Sequence, residues 1–186
     1  MSVVVAIKKN GVVYIGADTQ TTTGSAKANY TKESNLKIIT LENGIVLGHV
    51  GAVARKNIFF HSKNVFPKLK LKNGLTKEVI VEQLLPLLKK DKIFCNDEGH
   101  VEISAVLAYK DRLFKIKNEI VTEIGRYCAI GAGYDFAWAH LEDGWEKHDP
   151  VSLLHKALDA SARNIPSVSA PFVVVNTKDL SIEVIK

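Results

Sequence analysis

The 186 residues carry 46% hydrophobic and 24% charged side chains, an ordinary globular balance that suits a single domain over 1–186. No apolar stretch approaches the roughly 20 residues needed to cross a bilayer, so the composition excludes a helical membrane protein. The net charge of +5 invites a nucleic-acid partner, but only Arg55, Arg112, Arg126 and Arg163 are arginines. The other cations are lysines, which lack the planar fork that reads phosphates and base edges, so no nucleic acid is expected.

In chain order, Ser2 is followed at once by the apolar run Val3–Ile7, a buried-strand signal too short, and without a basic lead, for a signal peptide. Asn10-Gly11 separates it from Val12–Ile15; this dipeptide supplies the positive φ angles of a type I′ turn and predicts a hairpin. A second hairpin is expected from Leu36–Leu41 through Glu42-Asn43-Gly44 to Ile45–Val50. Beyond Gly51 the period turns helical through Val53, Ile58, Phe59 and Val65 and stops near Pro67. Thr76 suits the N-cap of a helix reaching about Lys90, with Pro86 inside it.

The second half repeats this alternation. Strands are expected at Val101–Tyr109, Arg112–Ile116 and Tyr127–Ile130, then helices at Tyr134–Asp143 and Pro150–Arg163. Asp149-Pro150 offers a capping carboxylate followed by a proline whose missing N–H costs nothing in the first turn. Phe172–Val175 and Ser181–Ile185 close the chain as a hairpin. Cys95 and Cys128 show no metal spacing and read as reduced thiols of a cytoplasmic protein, with no metal or cofactor expected. The alternation is α+β: two antiparallel sheets face to face, with helices outside.

Ser2, "NGVVYIGADTQTTTG", "LKIITL", "VLGHVGAVA", "AIGAGYDFAWAHLE" and "PFVVVNTKD" occur in an order that covers nearly the whole chain. Together they resemble proteasome β-type subunits, closest in texture to the bacterial HslV-type peptidase, within the N-terminal nucleophile (Ntn) hydrolases. The resemblance implies a four-layer αββα sandwich, a homo-oligomeric stacked ring, peptide or unfolded-protein substrates and an ATPase unfoldase partner. It assigns catalysis to Ser2, Asp18, Lys37 and Gly51, and substrate binding to Thr22, His49 and Val53.

The chemistry also follows from the residues. Removal of Met1 is expected to leave Ser2 with a hydroxyl nucleophile and a free α-amine whose reference pKa, about 7.7–8.0, suits a base at neutral pH. With Met1 retained, that nitrogen is an amide and cannot serve. A nearby ammonium favours the neutral amine and steadies developing alkoxide; Lys37 matches this role and Asp18 its acidic partner. Lysine in a strand is otherwise a solvent-facing filler. Gly51 matches the backbone N–H of an oxyanion hole at a helix start, while Gly48 and Gly51 also read simply as a tight strand-to-helix turn. The backbone at Thr22 matches a position that pairs with an extended substrate. His49 reads either as a pocket residue or as a satisfied polar residue near the surface.

Three departures accompany the match. Serine replaces the usual threonine, Ala132 stands where a serine hydroxyl is expected, and residues 162–169 hold no acid. Ser167 or Ser169 remains for the serine of that segment, and Asn164 can accept a hydrogen bond there without holding charge. Two alternatives to an active peptidase stay open: a catalytically degenerate scaffold subunit, and an Ntn amidase or acyl transferase acting on a small amide.

Overall fold

The computed structural model describes residues 2–23, 25–31, 36–52, 55 and 68–186. Strand β1 (Val3–Lys9) returns through Asn10 and Gly11, both at positive φ (54° and 74°), into β2 (Val12–Asp18). This is the hairpin that the Asn-Gly pair predicts. With β10 (Tyr127–Gly131), β11 (Phe172–Asn176) and β12 (Ile182–Ile185) they form one antiparallel sheet, ordered β10-β1-β2-β11-β12. The second sheet runs β5-β6-β7-β8-β9, from Ile38–Thr40, Val46–Val50, Ser104–Tyr109, Arg112–Lys117 and Ile120–Glu123.

Side chains explain why β1 is apolar throughout rather than alternating. Val4 and Ala6 point between the sheets, where they meet Ile38, Val46 and Val106. Val3, Val5 and Ile7 point the other way, against α2 (Tyr134–Gly144) and α3 (Pro150–Asn164). A third cluster joins the outer face of the second sheet, through Leu47, Leu107 and Phe114, to helix α1 over residues 77–89. The layers are therefore helix, sheet, sheet, helix, the expected αββα sandwich.

The caps fall where the sequence puts them. Asp149 accepts from the N–H groups of Val151 and Ser152 ahead of Pro150, and Thr76 accepts from Val79. Pro86 sits in α1 just after a π-helical turn over Ile80–Leu84. The widened turn accommodates a ring that lacks an N–H and would crowd the carbonyl four residues back.

Several expectations change. The strand expected from Leu36 starts at Ile38, and the one expected from Val101 starts at Ser104; Val101 instead forms an isolated bridge with Cys95. Two polar strands, β3 (Gln20–Thr23) and β4 (Ala26–Asn29), form a ribbon that no apolar pattern announces. Side chains clasp it to the segment before β11: Lys27 Nζ donates to the Pro166 carbonyl (2.8 Å), Asn29 Nδ2 to Ala170 (2.7 Å), and Thr19 Oγ1 to Pro171 (2.8 Å). The helix expected through Val53 and Val65 lies outside the described residues, apart from Arg55.

Candidate active site

Antiparallel pairing sets Val4 opposite Ala17, so the end of β2 arrives beside the start of β1. Asp18 occupies that corner and is almost fully buried. Its Oδ1 accepts from the Val3 N–H at 2.9 Å, taking the place of a ladder carbonyl at the first residue of β1. Its Oδ2 accepts from Lys37 Nζ at 2.6 Å and from the Gln20 N–H at 3.2 Å. One carboxylate thus ties the lysine ammonium to the peptide joining Ser2 and Val3.

Lys37 lies one residue before β5 rather than within it. Its carbonyl accepts from the His49 N–H at 2.9 Å, and its ammonium makes a second bond, to the Gln20 carbonyl at 2.6 Å. Burial pushes the Asp18 carboxyl up from its ordinary range, opposed by the Lys37 charge and the donors around it. Burial likewise pushes the Lys37 ammonium down, opposed by Asp18.

The other side of Ser2 is built by β10. The Ser2 carbonyl accepts from the Ala132 N–H at 2.7 Å. Gly131 has φ +94°, and a Cβ there would sit 2.1 Å from the Ser2 oxygen and 3.0 Å from Val50 Cγ1. Only glycine fits the conformation and the space. Gly131 is therefore the point where Ser2 meets the end of β6, immediately before Gly51.

Gly51 is exposed, with φ +128°, and follows β6 directly. The Arg55 backbone N–H donates to the Ala52 carbonyl at 3.1 Å. His49 is buried at 3% exposure, which corrects the reading that places it near the surface. Its ring lies under Gly51, with Cε1 3.5 Å from where a Gly51 Cβ would be. Thr22 is exposed on the ribbon, paired with Lys27, and its hydroxyl accepts from Gln20 Nε2 at 3.3 Å. Met1 and Val53 lie outside the described residues.

Structural comparison carries what sequence comparison does not: no family model and no curated protein matches this sequence. The BPH of Thiobacillus denitrificans superposes with a TM-score of 0.74 at 18% identity, covering 96% of this chain and 98% of that one. The crystal structure of eukaryotic HslV from Trypanosoma brucei gives 0.70 at 17% identity, over 94% and 98% of the two chains. The chain has the HslV-like, proteasome β-type fold. A Gly-1 mutant of Anbu from Hyphomicrobium sp. strain MC1 matches as well, with a TM-score of 0.72 at 17% identity, over 100% of this chain and 87% of that one. The Thiobacillus protein has also been solved in complex with epoxomicin.

Within this HslV-like fold, two of the three departures acquire positions. Ala132 contributes its backbone N–H to Ser2, a bond that does not depend on a side-chain hydroxyl. The Asn164 amide nitrogen donates to the Ala160 carbonyl of its own helix at 2.8 Å. Ser169 donates to Asn29 Oδ1 at 3.1 Å, and Ser167 Oγ is buried; neither bonds Ser2 among the described residues.

Sequence reasoning missed Gln20, whose backbone holds both members of the ion pair. Its only sequence signal is a polar residue two places beyond Asp18, where a carboxylate commonly bonds a backbone N–H. Cys95 and Cys128 are free thiols, and the described residues hold no cluster of three metal-ligating side chains. No described helix is long and apolar enough to cross a membrane.

Proposed function

We propose that the chain is a proteasome-like peptidase whose nucleophile is Ser2, freed by loss of Met1. The observation that carries this reading is the Asp18 carboxylate, bonded at once to Lys37 Nζ and to the amide following Ser2. A buried ion pair is weak evidence for stability, because desolvation offsets much of its attraction. Its place at the strand start suits a role in positioning and electrostatics instead.

In this mechanism the Ser2 hydroxyl oxygen attacks the peptide carbonyl carbon, and its proton passes to the Ser2 amine, directly or through a water. Lys37 favours the neutral amine beforehand and stabilises negative charge as it develops, with Asp18 aiming it. The Gly51 N–H receives the oxyanion. The ammonium returns its proton to the leaving nitrogen, the C–N bond breaks, and an ester to Ser2 remains. Water attacks that ester, its C–O bond breaks, and the acid product leaves with Ser2 restored. The Thr22 backbone pairs with substrate ahead of the cut, and His49 and Val53 shape the pocket there.

The likeness to HslV supports a cytoplasmic ring of identical subunits, with an ATPase unfoldase delivering unfolded chains as an analogy from fold alone. The loss of a hydroxyl at Ala132 and the absence of an acid from residues 162–169 favour a second reading, a scaffold subunit of the same fold with little turnover. A fluorescent β-lactone probe separates the two. Wild-type protein takes up one label, intact mass shows Met1 gone, Ser2→Thr retains labelling and Ser2→Ala abolishes it. Absence of label on protein already lacking Met1 establishes the scaffold reading, and label persisting in Ser2→Ala overturns Ser2 as the nucleophile.

A further inference from the structure

β1 lies between β2 and β10, so Ser2 has different neighbours on its two sides. Towards β2 stand Asp18, Gln20 and the ribbon carrying Thr22. Towards β10 a cleft of about 260 Å³ opens between the two sheets, lined by Gly131 from one and by Ser104, Lys115 and Lys117 from the other, with Tyr134 at its rim. Gly131, which lines this cleft, is also the residue packed against the Ser2 carbonyl.

Lys115 and Lys117 alternate along β8 and so share a face, the one on which Leu113 packs between the sheets. Their cross-strand neighbours are Val106 and Thr122 for Lys115, and Ser104 and Ile120 for Lys117. None of these carries a negative charge, and neither lysine has an ion-pair partner among the described residues. At the rim, hydrogen bonding to Asp135 pushes the Tyr134 hydroxyl above its ordinary range. Two ammonium groups facing one cavity without an acid between them form a receptor for an anion.

Val50, Ser104 and Lys117 stand in line across β6, β7 and β8. Strands are about 4.8 Å apart, which sets Lys117 about 10 Å from the Gly131–Val50 contact, or about three residues of extended peptide. Resting on the peptidase reading, with Thr22 taking the substrate ahead of the cut, we propose that this cleft holds the leaving fragment and that Lys115 and Lys117 select a carboxylate about three residues beyond the cut. The carboxylate is either an acidic side chain or the free end of a short fragment.

Internally quenched peptides identical up to the third residue past the cut test this. One ends in amidated Asp, one in amidated Gln and one in Gln with a free carboxylate. The two carboxylate peptides are cleaved about fivefold faster in kcat/KM than the amidated Gln peptide, and the ranking between them identifies the source. Lys117→Glu reverses the order and favours a Lys-ended peptide, a change that a structural role would not produce, while an arylamide with nothing beyond the cut is unaffected. Equal rates for all peptides, or a matching loss on the arylamide, overturn the proposal. Binding of the fluorescent fragment Gly-Gly-Asp to the Ser2→Ala protein separates the two readings. Binding that Lys117→Glu abolishes, in a protein whose wild type cleaves nothing, refutes the peptidase and leaves the anion cleft. Cleavage without such binding refutes the cleft and leaves the peptidase.

Discussion

Two aspartate–lysine pairs of nearly equal length behave in opposite ways. Asp18 and Lys37 meet at 2.6 Å inside the sandwich, whereas Asp143 and Lys147 meet at 2.7 Å on the outer face of α2. Hydrogen bonding to Lys147 pulls the Asp143 carboxyl below its ordinary range, yet burial pushes Asp18 above it. Contact distance is therefore a poor guide to what a pair does. The exposed pair keeps its hydration and gains a little, and the buried pair has surrendered its water and leans on Val3, Gln20 and each other.

The strongest way to break that contrast is to remove one cation from each pair. Lys37→Met strands a carboxylate in the interior and lowers the unfolding free energy by about 3–5 kcal/mol, read by urea denaturation. Lys147→Met leaves the midpoint where it was. Asp18→Leu added to Lys37→Met recovers most of the loss, and failure to recover it would show that the pair itself stabilises the fold. A second contrast sets two glycines against each other. Gly131→Ala forces a methyl into the Ser2 carbonyl at positive φ and costs about 1–3 kcal/mol. On the proposed peptidase reading it also displaces Ser2 and lowers turnover by about a hundredfold. Gly125→Ala meets nothing within 4 Å and leaves both measurements unchanged.

pH sharpens the comparison further. Burial holds Asp18 above its ordinary 3.8 and Lys37 below its ordinary 10.5. Just above pH 3.8 the folded chain binds more protons than the unfolded one, so the contribution of the pair to stability falls as pH rises there. Just below 10.5 the folded chain binds fewer, so the contribution recovers. Wild-type stability minus that of the Asp18→Leu/Lys37→Met protein follows this trough, and a difference peaking at neutral pH would reverse the sign of the argument. The smallest effect concerns the two thiols. Burial pushes Cys128 up to about 12. Iodoacetamide at about pH 8.5 therefore adds one label, at half-buried Cys95, and reaches Cys128 only on unfolding.

Most of the sandwich was readable because its signals are local. Asn10-Gly11 dictates a turn, Asp149-Pro150 a helix start, and unbroken apolar runs announce strands covered on both faces. The β3–β4 ribbon was not readable, since "QTTT" and "AKAN" carry no large apolar residue and their fixings come from residues about 140 positions away. The candidate site divides the same way. Ser2, Asp18, Lys37 and Gly51 emerged from ordered motifs, but the inward course of Lys37 depends on a carboxylate 19 residues earlier and on the Gln20 carbonyl. Ala132 looked like a loss because a sequence displays side chains, while its bond to Ser2 is made by the backbone.

Gln20 opens the clasped ribbon and also supplies the oxygen that Lys37 grips. Ribbon and ammonium accordingly share one peptide unit, so a swing of the ribbon about residue 19 cannot leave the lysine tip in place. Whatever pulls on the β3–β4 ribbon has a lever arm ending at the charge beside the first strand.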